Sequence, residues 1–134
     1  MSEQAAMRRG LQPLGRIVGW AVAGVDPSLM GMGPVPAVRR VLAKAALSLD
    51  DIGIVELNEA LASQALASMR ELGLELGRVN PLGGAIALGH PIAATGAILA
   101  TKLLYELQRT GRRYGLVTAG IGGGRGVAAV FERL

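Results

Sequence analysis

An α/β fold, a mixed sheet with helices on both of its faces, is what this sequence predicts, and three observations carry the prediction. Short runs rich in valine, isoleucine and alanine alternate with longer segments whose apolar residues return at helical spacing. Glycine or a proline-bearing turn separates nearly every run from the next. The hydrophobic share, 51% of 134 residues with only four aromatics (Trp20, Tyr105, Tyr114, Phe131), suits a single domain with one aliphatic core.

Taken in order, Ser2 to Arg9 reads as a short lead-in helix stopped by Gly10, with residues 1–12 as lead-in and linker. Arg16 to Val25 is a strand closed by Asp26-Pro27. A helix starting at Pro34 or Pro36 runs to Leu49, with Val38, Val41, Leu42, Ala45 and Leu49 on one face and Arg39, Arg40, Lys44 and Ser48 on the other. A strand, Ile52 to Leu57, ends at Asn58; a helix from Glu59 to about Leu72 stops at Gly73. The segment RVNPLGGAIALGHP is expected to hold a short third strand, and a third long helix spans Pro91 to Arg109 with Gly111 beyond it. Strands Tyr114 to Thr118 and Val127 to Glu132, joined by GIGGGRG, finish a β-α-β-α-β-α-β-β order.

Within the third helix, IAATGAILA is apolar or small on every side, so this stretch is expected to be covered all round. Residues 79–101 carry no formal charge, but the prolines and glycines at 81–91 leave too short a helix to cross a bilayer, and no membrane partner is expected.

Twenty glycines signal tight turns and close backbone approach. The absence of cysteine excludes disulfides, cysteine-ligated metal and a thiolate nucleophile from this chain. Net charge is +4, with twelve arginines to two lysines. The arginines are scattered without interleaved aromatics, which argues against nucleic acid as a partner. MSEQAAMRRG has no apolar signal core, so a cytoplasmic location is expected.

Ligands of open α/β sheets gather at the carboxyl ends of the strands, and four unusual stretches fall there: Met30 to Gly33, Asn58-Glu59-Ala60, Gly89-His90-Pro91 and Gly120 to Gly124. Each has a plain structural reading. Asn58 is a good helix N-cap, and Glu59 in a first turn complements the helix dipole. His90, the only histidine, precedes Pro91 at an expected helix start and is either a cap or a base and oxyanion donor. The glycine run leads into a strand rather than a helix, which removes a nucleotide-loop reading and leaves a tight turn or an amide nest for an oxyanion. Met30 and Met32 are either core or a flexible apolar wall for a thin ligand.

Together MGMGPVPA (30–37), VELNEA (55–60), NPLGGAIALGHP (80–91) and GIGGGRG (120–126), in this order and spacing, resemble the C-terminal half of thiolases, the acetyl-CoA acetyltransferases and 3-ketoacyl-CoA thiolases. The resemblance covers nearly the whole chain and implies one thiolase-type C-terminal domain over 1–134. Thiolases stack two such halves around shared central helices, so the N-terminal half would cover the apolar helix.

By the same resemblance His90 activates a nucleophilic cysteine and helps hold the thioester oxygen, and Asn58 fixes a water in that oxyanion hole. The Gly122 amide is a donor of a second hole. Ile121 lies beside the acyl group, and Met30, Gly31, Met32 and Ala60 line the pantetheine side. Gly120 stands where the family has its acid/base cysteine, and Leu61 stands where many members carry phenylalanine.

The nucleophile belongs to the other half. The reaction implied for the complete enzyme is thiolytic cleavage or Claisen condensation of acyl-CoA thioesters, with coenzyme A as substrate and neither cofactor nor metal. The chain alone is expected to be inactive and to associate with an N-terminal half or with itself, as a homo-oligomer. The alternative is a non-catalytic acyl-CoA-binding or protein-interaction module.

Overall fold

A computed structural model describes residues 1–134. Nine regular elements appear in the order α1 (Glu3–Arg8), β1 (Gly15–Gly24), α2 (Pro34–Ala45), β2 (Ile52–Leu57), α3 (Ala62–Leu72), α4 (Ala85–Leu88), α5 (Thr95–Thr110), β3 (Tyr114–Ile121) and β4 (Arg125–Arg133). The four strands form one mixed sheet in the order β1-β4-β3-β2, antiparallel at β1/β4 and β3/β4 and parallel at β2/β3. No helix is long and apolar enough to cross a membrane.

Side-chain alternation along the strands divides the core into two layers. On one side α2 lies over β1 and β4, and α3 packs beside it. Val38 and Val41 from α2 meet Ala21, Leu116, Ala128 and Val130 from the sheet, with Ala65 and Met69 from α3 in the same cluster. The other side is covered by α5 over β2 and β3, where Leu103 and Leu107 pack on Ile54.

Helix ends follow the local chemistry. Ser2 caps α1 by accepting from the Ala5 amide at 3.3 Å. Gly73 and Gly111, both with positive φ, stop α3 and α5. Helix α2 ends at Ala45 rather than Leu49, because Ser48 and Asp51 form a capping box that begins a separate 3-10 turn, Leu49–Asp51.

Three further expectations about where elements lie need correction. The third strand is absent as an element: Val79 makes a single parallel bridge to Val55, and Asn80 then turns away with φ of 47°. The second helix starts at Ala62, not Glu59, because Leu61 is extended and Asn58 continues the strand, its amide donating to the Thr118 carbonyl at 2.9 Å. Pro91 is not the first residue of the long helix; it opens a turn whose carbonyl accepts from the Ala94 and Thr95 amides, and the regular helix begins at Thr95.

Nor is the stretch 91–100 covered on all sides. Thr95 and Leu99 are buried, but Ile92 is 86% exposed, and Gly96, Ala97 and Ile98 also face outward.

Candidate functional site

The ten residues to which the resemblance gives a catalytic or substrate-binding place all line one cleft, whereas Gly33, Glu59, Gly89, Pro91, Gly123 and Gly124 do not. A cavity of about 710 Å³ at the carboxyl ends of β1, β2 and β3 is walled by Met30, Gly31, Met32, Asn58, Ala60, Leu61, His90, Gly120, Ile121 and Gly122. The sequence places these residues far apart; the crossovers bring them together where the sheet leaves a gap between its covering helices.

The cleft owes its shape to close backbone contacts. A Cβ on Gly126 would lie 2.0 Å from the Gly33 carbonyl oxygen, so β4 and the entry to α2 touch backbone to backbone, and this holds the Met30–Gly33 wall against the sheet. The turn Gly122–Gly124 has φ of 77° at Gly123 and 75° at Gly124, and the Val25 amide donates to the Gly124 carbonyl at 2.7 Å. This contact fastens the end of β1 to the β3–β4 hairpin.

His90 is gripped from both ring nitrogens. Thr95 Oγ1 gives its own hydrogen to the Pro91 carbonyl at 3.0 Å, so toward His90 Nδ1, 2.8 Å away, it accepts. Nδ1 therefore carries the hydrogen, and Nε2 of the neutral ring presents a lone pair, with Asn58 Nδ2 as donor at 3.4 Å. Thr95 is 5% exposed and Asn58 1%, whereas the imidazole itself opens on the cleft. Asn58 Oδ1 is buried without a partner and remains available as an acceptor. The pair thus offers a base at Nε2 and, once Nε2 is protonated, two adjacent N–H donors.

The roles first weighed for two residues are revised by this geometry. Asn58 does not cap a helix; its amide is committed to His90. Glu59 does not sit in the first turn of α3 but accepts from the Ile86 amide at 3.2 Å, at the start of α4, and from Asn80 Nδ2 at 2.7 Å.

The glycine run supplies a tight turn between β3 and β4, and its Gly122 borders the cleft. A Cβ at Gly120 would meet only the Met30 carbonyl oxygen, at 3.9 Å, so the position has room for a side chain that this chain lacks.

Further wall residues escaped the sequence reading: Ser28, Leu29, Ser63, Gln64, Ile92, Thr95 and Val127 among them. Thr95 was legible only as an ordinary helix residue. Its position five places after the one histidine was the available signal.

The cleft brings His90, with Asn58 beside it, together with the Gly120–Gly122 turn and the apolar side chains of Met30, Met32, Leu61 and Ile121. Residues 11–133 match the family described as "Thiolase, C-terminal domain", and the chain belongs to that family.

Similar proteins include a β-ketothiolase of Cupriavidus necator, 53% identical over 134 residues, and an acetyl-CoA acetyltransferase of Shinella zoogloeoides, 54% identical over 134; in both cases 100% of this chain and 34% of the relative are covered. Among solved structures, Bacillus anthracis acetyl-CoA acetyltransferase superposes with a TM-score of 0.97 at 50% identity, covering 100% of this chain and 34% of the other. Human mitochondrial 3-ketoacyl-CoA thiolase in complex with CoA gives 0.97 at 48% identity, covering 99% and 34%. The chain spans about a third of the length of these relatives.

Proposed function

We propose that this chain supplies the histidine side of a thiolase active site acting on acyl-CoA thioesters, by thiolytic cleavage or condensation, and that the nucleophilic thiol comes from an N-terminal thiolase half. The observation that carries the reading is the His90 arrangement, with Nδ1–H fixed on Thr95 and the Nε2 lone pair turned to the Asn58 side of the cleft.

In this reading Nε2 takes the proton of the incoming cysteine thiol, leaving a thiolate that attacks the thioester carbonyl. The protonated ring and the Asn58 side then hold the negative charge that develops on the carbonyl oxygen. Gly122 offers its amide to the oxygen on the opposite wall. Met30, Met32, Ala60, Leu61 and Ile121 guide the pantetheine and acyl chain, with coenzyme A as substrate rather than resident cofactor.

Gly120 provides no acid or base, so proton transfer to the departing thiolate lacks a group of a kind typically worth about 10²–10⁴-fold. The exposed apolar side of α5 and the adjoining sheet would be covered by the N-terminal half, or by a second copy in a homo-oligomer.

The isolated chain should not thiolyse acetoacetyl-CoA, because it contains no cysteine. Measurable turnover by the purified chain, at a rate above that of a His90→Ala variant, would overturn the division of labour. Calorimetry with CoA tests the cleft separately: binding without turnover supports a non-catalytic acyl-CoA module, and no binding supports a half-site completed only by its partner.

A further inference from the structure

We propose that Lys102 is a positioning residue for His90: its ammonium ties the 80–90 loop to β2 and to α5, and thereby sets where the imidazole meets Asn58. The inference takes its functional weight from the reading of His90 above, but it concerns geometry that can be measured without turnover.

The loop between Asn80 and His90 is glycine-rich and must deliver its last residue to the cleft at a fixed place. Three polar ties hold it. Asn80 uses its side-chain amide as a substitute strand neighbour, accepting from the Leu57 amide and donating to the Leu57 carbonyl, both at 2.9 Å, while its own backbone amide donates to Val55. Glu59 accepts from Asn80 Nδ2 and from the Ile86 amide. Its carboxyl carbon lies 2.1 Å from where a Cβ on Gly84 would stand, so the loop is wrapped directly on the carboxylate.

The third tie is Lys102, whose Nζ donates to the Gly83 carbonyl at 2.5 Å and to Glu56 Oε2 at 2.8 Å. Its side chain is 14% exposed and that of Glu56 0%. Only this third tie comes from α5, the helix whose Thr95 grips the imidazole at Nδ1.

Lys102 therefore closes a ring. From β2 come Glu56 and, two residues on, Asn58; from α5 come Lys102 and Thr95; between them runs the loop that ends in His90. A small cavity of about 10 Å³ behind the cleft has Lys102, Asn58, Gly89 and Thr95 in its wall, so the tie lies immediately behind the two residues that hold the ring.

The arrangement exceeds what Glu56 requires for charge balance alone. A counterion could reach the carboxylate without touching Gly83, and Glu56 Oε1 is left without any partner. A displacement of about 1 Å at a reacting group can cost on the order of 10²-fold in rate, so a loop tie of this kind has a functional consequence without touching substrate.

His90 is the only histidine, so in an untagged chain one imidazole signal reports on the site by NMR. Lys102→Met should broaden or split that signal and remove the cross-relaxation between the ring and the Asn58 side-chain amide. Lys102→Arg, which can still reach both acceptors, should restore them. The double variant Lys102→Met with Glu56→Gln removes the uncompensated carboxylate and so remains foldable; it should still perturb His90, because Gly83 stays untied.

A destabilised control, Leu107→Val, should lower the melting temperature and leave the His90 signal in place. An unchanged His90 signal and cross-peak in the folded double variant would overturn the proposal. So would a Leu107→Val spectrum as disturbed as that of Lys102→Met. Neither readout depends on thiolysis, so failure here is separable from failure of the proposed activity.

Discussion

Beneath α2 the sheet presents Leu116, Ala128 and Val130 at 0–1% exposure, whereas on the opposite side Ile17 stands at 63%, Trp20 at 59% and Val22 at 39%. Both sets are apolar, and by register they belong to neighbouring strands: Ala21 pairs with Ala128 on the covered side, while Trp20 pairs with Ala129 and Val22 with Val127 on the open one. Helix α5 covers β2 and β3 but leaves the β1 side of its face bare, and its own Ile98, like Ile92 in the turn before it, remains outward. The chain closes one layer of its core and leaves the other half-made. Stability should therefore reside under α2, and association should reside on the α5 side.

The largest effect expected from this contrast is in the closed layer. Leu116→Ala should cost about 2–5 kcal/mol in a urea titration, since a fully buried leucine leaves a cavity that well-packed neighbours cannot fill. A loss below about 1 kcal/mol would mean that the α2 layer is not the principal core.

Carboxylates on the two sides should respond to acid with opposite sign. Glu132, on the same side of β4 as Ala128 and Val130, is bonded to Arg113 and Arg16, and these guanidinium groups hold its carboxyl below the usual carboxylate range. Its folded value is depressed, so its contribution is present above the usual range and lost as pH falls through that depressed value. Burial pushes the Glu56 carboxyl up, against the lowering effect of Lys102. Its contribution is present below the usual range and lost as pH rises through the raised value.

Glu132→Gln should thus flatten the acid-side fall in stability, and Glu56→Gln should flatten the fall on the rising side, in urea midpoints collected from about pH 3 to 7. Because Arg16 and Arg113 are 64% and 68% exposed, the Glu132 effect should be about 1 kcal/mol or less. Identical slopes in both variants would break the comparison.

The smallest change in stability is expected on the open side. Ile92→Ser with Ile98→Ser should alter the unfolding free energy from a urea titration by no more than about 0.5 kcal/mol while reducing self-association in light scattering. A wild-type chain that stays a sharp monomer at high concentration would remove the association half of the argument.

Legibility in the sequence differed in the same way between regions. The covered layer was readable because amphipathic spacing in α2 and alternation in β4 each have one buried side, and Val38, Val41 and Leu42 were identified from that spacing. Gly73 and Gly111 were readable as stops because positive φ is a local requirement. The site residues could be gathered because strand ends converge in this fold class, and the thiolase resemblance supplied their proposed roles.

The segment 78–95 was misread. Its apparent strand is one bridge at Val79, and its helix starts four residues late because Pro91 is used as a turn. The Asn80, Glu59 and Lys102 ties had no periodic signature. They are long-range polar contacts between residues that singly look like a turn, a helix start and a solvated helix face.

By itself the sequence determined the α/β class, most element types, the closed apolar layer and the absence of any thiol from this chain. These follow from local backbone preference, from periodic burial and from composition. The tertiary structure alone decided that Asn58 bonds His90 instead of capping a helix, which ring nitrogen of His90 carries the hydrogen, and that a half-buried lysine holds the loop behind it. Each of these depends on which partner a polar group finds across the fold, and hydrogen bonding between residues distant in the chain leaves no period for a sequence to show.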